Sequence, residues 1–189
     1  MTFLTVVKFL TIIWGLSEIF LALSKRARGT RVRRRDRGTQ MLFWLAIIAG
    51  VSVGGWLQFV PVLRIAASPL LLGAAAFVLL GSGVALRWWA MQTLGRFFTA
   101  NVALLDDHRL VTAGPYRSVR HPAYAGMLLA FAGLGVSFGS WLSLVAVLVP
   151  VSVATLLRIH VEEKILLRQF GEEYRRYCRR TRRLIPGLY

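Results

Sequence analysis

Five apolar runs, most of them sealed off by charge rather than by loop-forming residues, leave this chain one general way to fold. Phe3 to Ser24, Met41 to Val60 and Pro69 to Met91 each reach the length of a bilayer-spanning helix, since a hydrocarbon core about 30 Å thick needs roughly 20 apolar residues. The fourth run, Tyr124 to Phe138, reaches only about 22 Å at 1.5 Å per residue and falls short of a full crossing. Gly139 and Ser140 turn it into a fifth run from Trp141 to about Ile159, so the last two runs form a helical hairpin. The expected fold is an all-α integral membrane protein with about five transmembrane helices. Beyond them, Val161 to Arg183 carries Ile165, Leu166, Phe170, Tyr174 and Tyr177 at helical spacing among charges, the pattern of a C-terminal amphipathic helix. Gly171 interrupts that pattern and marks a bend or a close contact.

Charge sets the expected orientation. A net charge of +16 over 189 residues would point to nucleic acid in a soluble protein, but these cations sit at the ends of apolar runs. Lys25, Arg26, Arg28, Arg31, Arg33, Arg34, Arg35 and Arg37 face the single acid Asp36, which places that loop in the cytoplasm by the positive-inside rule. Five passes then put the amino terminus outside, with residues 92–123 and the tail inside. The same cations would attract anionic head groups. The bilayer and a lipophilic molecule are therefore the expected partners, and nucleic acid is not. The long first run reads as a retained anchor rather than a signal peptide. With 3 Lys among 24 cations, the arginine-rich usage fits a GC-rich microbial genome. One cysteine, Cys178, excludes an intramolecular disulfide, and no Cys/His cluster suggests a metal. Nothing in the sequence sets an oligomeric state.

The division expected is residues 1–91 for three helices and the basic loop 25–40, and 92–189 for the chemistry. In the second part, Gly114-Pro115 marks a turn, and Pro122 suits the first turn of a helix. Free N–H groups at Tyr124 and Ala125, beside His121, would offer a site for a carboxylate or ribose oxygen. Arg158 and Glu162 share one helix face at the polar end of run five, with Glu163 about 100° further round. They form an intrahelical pair, or Glu162 takes a cofactor group while Arg158 holds an anionic substrate. Glu18, inside run one, is a functional candidate as an intramembrane ionisable group, although Lys25 and Arg26 lie within its reach. Trp88 and Trp89 read as an interfacial belt or as the lining of a lipid entrance.

The string LVTAGPYRSVRHPAYAG, followed after the hairpin by RIHVEEKILLRQFGEEYRRY, resembles the isoprenylcysteine carboxyl methyltransferase and phospholipid methyltransferase superfamily of integral-membrane enzymes. The likeness covers about residues 92 to 186. It implies an S-adenosylmethionine site, with S-adenosylhomocysteine as product and a lipophilic or lipidated substrate arriving from the bilayer. Carried over by position, Asn101, His108, Arg109, Leu110, Val111, Tyr116, His121, Pro122, Ala123, Tyr124 and Glu162 resemble the cofactor contacts, and Arg158 resembles the residue that holds a substrate carboxylate. An ionised carboxylate is already a nucleophile, so orientation and desolvation are the main requirements. A phospholipid amine or a thiol acceptor would need a base, for which His121 and Glu163 are candidates. Sterol reductases share the likeness, but their motif has asparagine where this chain has Ala123. Glu18, Trp88 and Trp89 stand as candidates for the substrate side. A basic membrane scaffold that gathers anionic lipids is the non-enzymatic alternative.

Overall fold

A computed structural model describes residues 3–24, 38–98 and 109–187 of the chain. The elements are α1 (Phe3–Ser24), α2 (Gly38–Leu57), α3 (Pro69–Leu94), a 3-10 turn (Gly95–Phe97), a second (Gly114–Arg117), α4 (Pro122–Ser137) and α5 (Trp141–Arg180). The five expected helices are present, and among the described residues α2, α3 and α5 are each long and apolar enough to cross a membrane. The short fourth run is the 16-residue α4, about 24 Å long.

One boundary differs from the sequence reading. The expected amphipathic tail does not begin as a separate helix at Val161: run five continues through it as far as Phe170, and beyond a kink at Gly171, which sits at φ 50° and ψ −119°, a second helical segment carries α5 to Arg180. That left-handed φ carries little penalty in glycine, so the bend falls where the sequence places it. On the tail, Ile165, Tyr174 and Tyr177 are buried, while Leu166 and Phe170 pack alongside Ile165.

Glycine sets how closely the helices approach. A Cβ on Gly83 of α3 would lie 2.5 Å from the Gly126 carbonyl oxygen of α4, and one on Gly126 would lie 2.7 Å from the Arg87 nitrogen. In a membrane, where apolar contact alone discriminates little between helix and lipid, such backbone approach is a main source of association. α2 packs on α5 in the same manner, with Gly50 against the Ala146 carbonyl and Gly54 against Val147. α1 leans on α3 and α4. The core follows these seams through Trp14, Phe43, Leu80, Met127, Phe131, Leu134, Val147 and Val151.

The two apolar-end connections are tied together. Ile65 donates its backbone N–H to Gly139 (3.0 Å) and Trp141 to Leu63 (3.0 Å). This joins the α2–α3 loop to the α4–α5 turn at one end of the bundle. The beginning of α4, the ends of α1 and α3, the start of α2 and the polar part of α5 are thereby left at the other.

Candidate active site

At that second end the chain between α3 and α4 is shaped by pairing with the C-terminal peptide. After the turn at Gly114 (φ 55°), the buried Tyr116 is anchored through its carbonyl, which accepts from the Tyr177 hydroxyl at 2.8 Å. Residues 118–121 then run beside residues 181–183, with Val119 and Arg182 in an isolated parallel bridge. Arg182 N–H donates to Ser118 O (3.0 Å), Arg120 N–H to Arg182 O (2.7 Å) and His121 N–H to Arg183 O (3.0 Å). The buried polar backbone is therefore satisfied by the chain itself. Pro122 begins α4 as expected, but the N–H groups of Tyr124 and Ala125 are not open to an anion. Both donate to His121 O at 3.1 Å, which corrects the expectation of a free helix start there.

The two neighbouring acids of α5 have different surroundings. Glu163 accepts from Arg120 Nε (3.0 Å) and Arg183 Nε (3.0 Å), and its Oε1 lies 3.4 Å from His121 Nε2. Burial by itself would raise its carboxyl, but the hydrogen bonds and charges of His121 and Arg120 outweigh that and hold it down at about 2. A carboxylate so firmly ionised and so fully engaged is a poor proton acceptor near neutral pH. The candidate role of Glu163 as a base is thus replaced by that of a clamp between α5, the segment before α4 and the C-terminal peptide.

Glu162 turns the other way. Its Oε2 accepts from the Tyr124 hydroxyl at 3.1 Å, and that same oxygen of Tyr124 accepts from Arg158 Nε at 2.7 Å. A phenol from α4 therefore sits between two groups of α5 that were expected either to pair along the helix or to bind ligands separately. Arg158 is 5% exposed, and its guanidinium lies 5.7 Å from the ring centre of Phe43 on α2. The contact has the geometry of a cation–π interaction.

These groups open onto a cavity of about 760 Å³, within the range of small-molecule sites. Its walls include Glu18, Arg109, Leu110, Val111, Tyr116, His121, Ala123, Tyr124, Arg158 and Glu162, so residues distant in sequence meet as expected. Burial, together with the Glu162 charge, pushes the Tyr116 phenol up, and it faces the cavity as a neutral group. Pro122 is fully buried behind this wall. Asn101 and His108 lie outside the described residues. Trp88 and Trp89 are exposed on α3 and are not among the wall residues, so their position fits an interfacial belt rather than the lining of an entrance. The cavity continues between the helices past Met127, Phe131 and Leu134 of α4, Thr11 and Gly15 of α1, and Ile47 and Val51 of α2. α1 and α2 supply much of the apolar length of this wall.

Three contributors escaped the sequence reading: Phe43, the peptide 181–183, and Arg87. Arg87 Nη2 donates to Glu18 Oε2 at 2.6 Å, and Arg87 Nε donates to Glu18 Oε1. Among the described residues the charged partner of Glu18 is therefore on α3; Lys25 and Arg26 lie outside the described residues. A lone acid in one apolar run and a lone arginine in another is the signal that would have matched them.

The ordered pair of motifs, now brought to one cavity, has a counterpart in known proteins: the model of the isoprenylcysteine carboxyl methyltransferase (ICMT) family matches residues 74–168. The chain belongs to this family. Protein-S-isoprenylcysteine O-methyltransferase B of Arabidopsis thaliana is 36% identical over 106 residues, covering 55% of this chain and 54% of that protein. The protein-S-isoprenylcysteine O-methyltransferase of Schizosaccharomyces pombe is 30% identical over 159 residues, covering 76% of this chain and 66% of the relative. Thus the chain spans about half the length of its plant relative. In fold it is similar to a solved eukaryotic intramembrane Ras methyltransferase, ICMT, with a TM-score of 0.58 and 24% identity over 81% of this chain and 54% of that one. The match confirms an integral-membrane ICMT-type fold. Its family core begins within α3, so α1 and α2 lie outside the matched residues.

Proposed function

We propose that this protein is a membrane methyltransferase that moves a methyl group from S-adenosylmethionine to a lipophilic acceptor, most simply the carboxylate of a prenylcysteine-like substrate. The observation that carries the reading is the single cavity in which the Arg158, Tyr124 and Glu162 network meets an apolar groove between α1, α2 and α4. One end suits polar, charged groups and the other a hydrocarbon chain.

The wall chemistry fits the cofactor. Glu162 offers a carboxylate to ribose or amino hydrogens, His121 an imidazole, and Tyr116 a neutral phenol beside apolar Leu110 and Val111. Asn101 and His108 belong to the same proposed set by motif position. Bound there, the cofactor supplies an electrophilic methyl on a sulfonium. The protein's own part is orientation and exclusion of water. Arg158 orients an acceptor carboxylate through its guanidinium fork; Tyr124 and Phe43 hold that guanidinium in place. No base is required for a carboxylate acceptor, which agrees with Glu163 being engaged in the clamp. In the cell we place this polar end and the basic loop on the cytoplasmic side, following the positive-inside rule.

Calorimetry in detergent tests the reading: S-adenosylhomocysteine should bind, Glu162→Ala and His121→Ala should weaken it, and well-folded protein with no affinity would overturn it. Arg158→Ala should lower affinity less than Glu162→Ala while reducing methyl transfer to a prenylcysteine analogue. Labelled transfer to phosphatidylethanolamine or a thiol in preference to that analogue would replace the carboxylate acceptor.

A further inference from the structure

Arg87 and Glu18 stand out because a buried charge pair is costly. Their side chains are 10% and 15% exposed, and desolvating each ion costs several kcal/mol, so well-packed apolar residues often serve stability as well or better. Yet Glu18 is fully engaged, accepting from both Arg87 donors and from Trp14 Nε1 at 3.1 Å. The remaining reach of the guanidinium is the informative part. Arg87 Nη1 donates to Ala123 O at 3.1 Å, the carbonyl immediately before Tyr124, and both charged residues line the cavity. The close approach of α3 to α4 at Gly126 brings that guanidinium level with the first turn of α4.

We propose that Arg87, held in a fork by Glu18, is a positioning residue for the methyl-transfer site: it fixes the Ala123 carbonyl and with it the placement of Tyr124 between Arg158 and Glu162. This rests on the methyltransferase reading for its consequence but not for its geometry. The planar guanidinium serves the carboxylate through Nε and Nη2 and the carbonyl through Nη1 in one fixed geometry; a lysine has three donors on a single freely rotating nitrogen and does not fix the two partners relative to each other. The pair also fastens α1, which lies outside the family-matched residues, to the turn that carries the RHP motif. α1 is thereby made part of the site.

The decisive variant replaces the whole pair, Glu18→Leu with Arg87→Met, so that no charge is stranded. Its melting temperature should stay near that of the parent, while the Kd for S-adenosylhomocysteine rises about tenfold, the scale of one charged hydrogen bond. Hydrogen exchange of residues 123–127 should quicken about tenfold at the same time. Affinity and exchange both within twofold of the parent would overturn the proposal and leave the pair a packing feature. Should the double variant fail to fold, Arg87→Lys decides, since it keeps the charge opposite Glu18. A rise in Kd and in exchange with the melting temperature retained supports the role, and parental values for both refute it. If the parent itself binds no S-adenosylhomocysteine, the methyltransferase reading falls, while the exchange comparison still decides whether Arg87 positions α4.

Discussion

Tyr124→Phe removes one oxygen and keeps the ring, so it isolates the hydroxyl that joins Arg158 to Glu162. That oxygen accepts from Arg158 Nε at 2.7 Å and donates to Glu162 Oε2 at 3.1 Å. A hydrogen bond to a charged partner contributes about 1.5–3 kcal/mol. The Glu162 end opens on the cavity, where water can replace the phenol at small cost. The Arg158 end is different: the Nε–H loses a 2.7 Å bond that fixes the tilt of a guanidinium only 5% exposed, and a water in its place is not anchored to α4. The net effect is then about 2 kcal/mol, felt as a guanidinium free to leave the position in which it meets the acceptor. Steady-state methyl transfer should show kcat/KM for a carboxylate acceptor falling roughly 30-fold by the usual conversion of 1.36 kcal/mol per decade, with cofactor affinity falling less. In a double-mutant cycle with Glu162→Gln the two changes should be non-additive by about 0.5–3 kcal/mol, as for residues in direct contact. A variant with kcat/KM within twofold of the parent, or strictly additive effects, would refute the idea that the phenol organises the site.

Acid should expose the Glu163 clamp. With its carboxyl lowered from 4.5 to about 2, its contribution is present above about pH 4.5 and is lost as pH falls toward 2. At 1.36 kcal/mol per pH unit this is on the order of 3 kcal/mol; melting temperature in detergent should drop over that window in the parent and much less in Glu163→Gln. Arg182→Pro deletes the N–H that bonds Ser118 O and should loosen the segment before α4, which limited proteolysis between residues 109 and 121 would detect. Gly126→Ala places a methyl 2.7 Å from the Arg87 nitrogen and 2.5 Å from the Gly83 carbonyl oxygen. Because backbone cannot yield as a side chain can, it should separate α3 from α4, cost about 1–3 kcal/mol, and broaden the gel-filtration peak.

The helices were legible because their signal is local. Run length against bilayer thickness predicts five elements, and it also predicts that α4 is short. Gly171 bends α5 where it interrupts the amphipathic pattern. The polar groups that gather at the cavity were equally open to reading, as His121, Tyr124, Arg158 and Glu162 lie at the ends of apolar runs and in motifs of recognisable order. The misreadings concern partners. A helix start has unpaired donors by default, so the sequence predicts free N–H groups at Tyr124 and Ala125, yet both bond to His121 O. The stretch before α4 takes its partners from residues 181–183, about 60 positions away, and no periodicity in either stretch announces that pairing.

The sharpest division falls between Glu162 and Glu163. As neighbours in sequence they carry the same charge and the same propensity, and the sequence alone establishes only that two acids stand at the polar end of α5. Successive residues of an α-helix point about 100° apart, so one step of rotation carries Glu162 to the cavity and Glu163 to Arg120, His121 and Arg183. Which side holds the cavity depends on where α4 and the C-terminal peptide pack, and that is decided only in the tertiary structure. Glu18 and Arg87 follow the same logic, since a charge in an apolar run must find a partner, but only the packing of α1 on α3 says which.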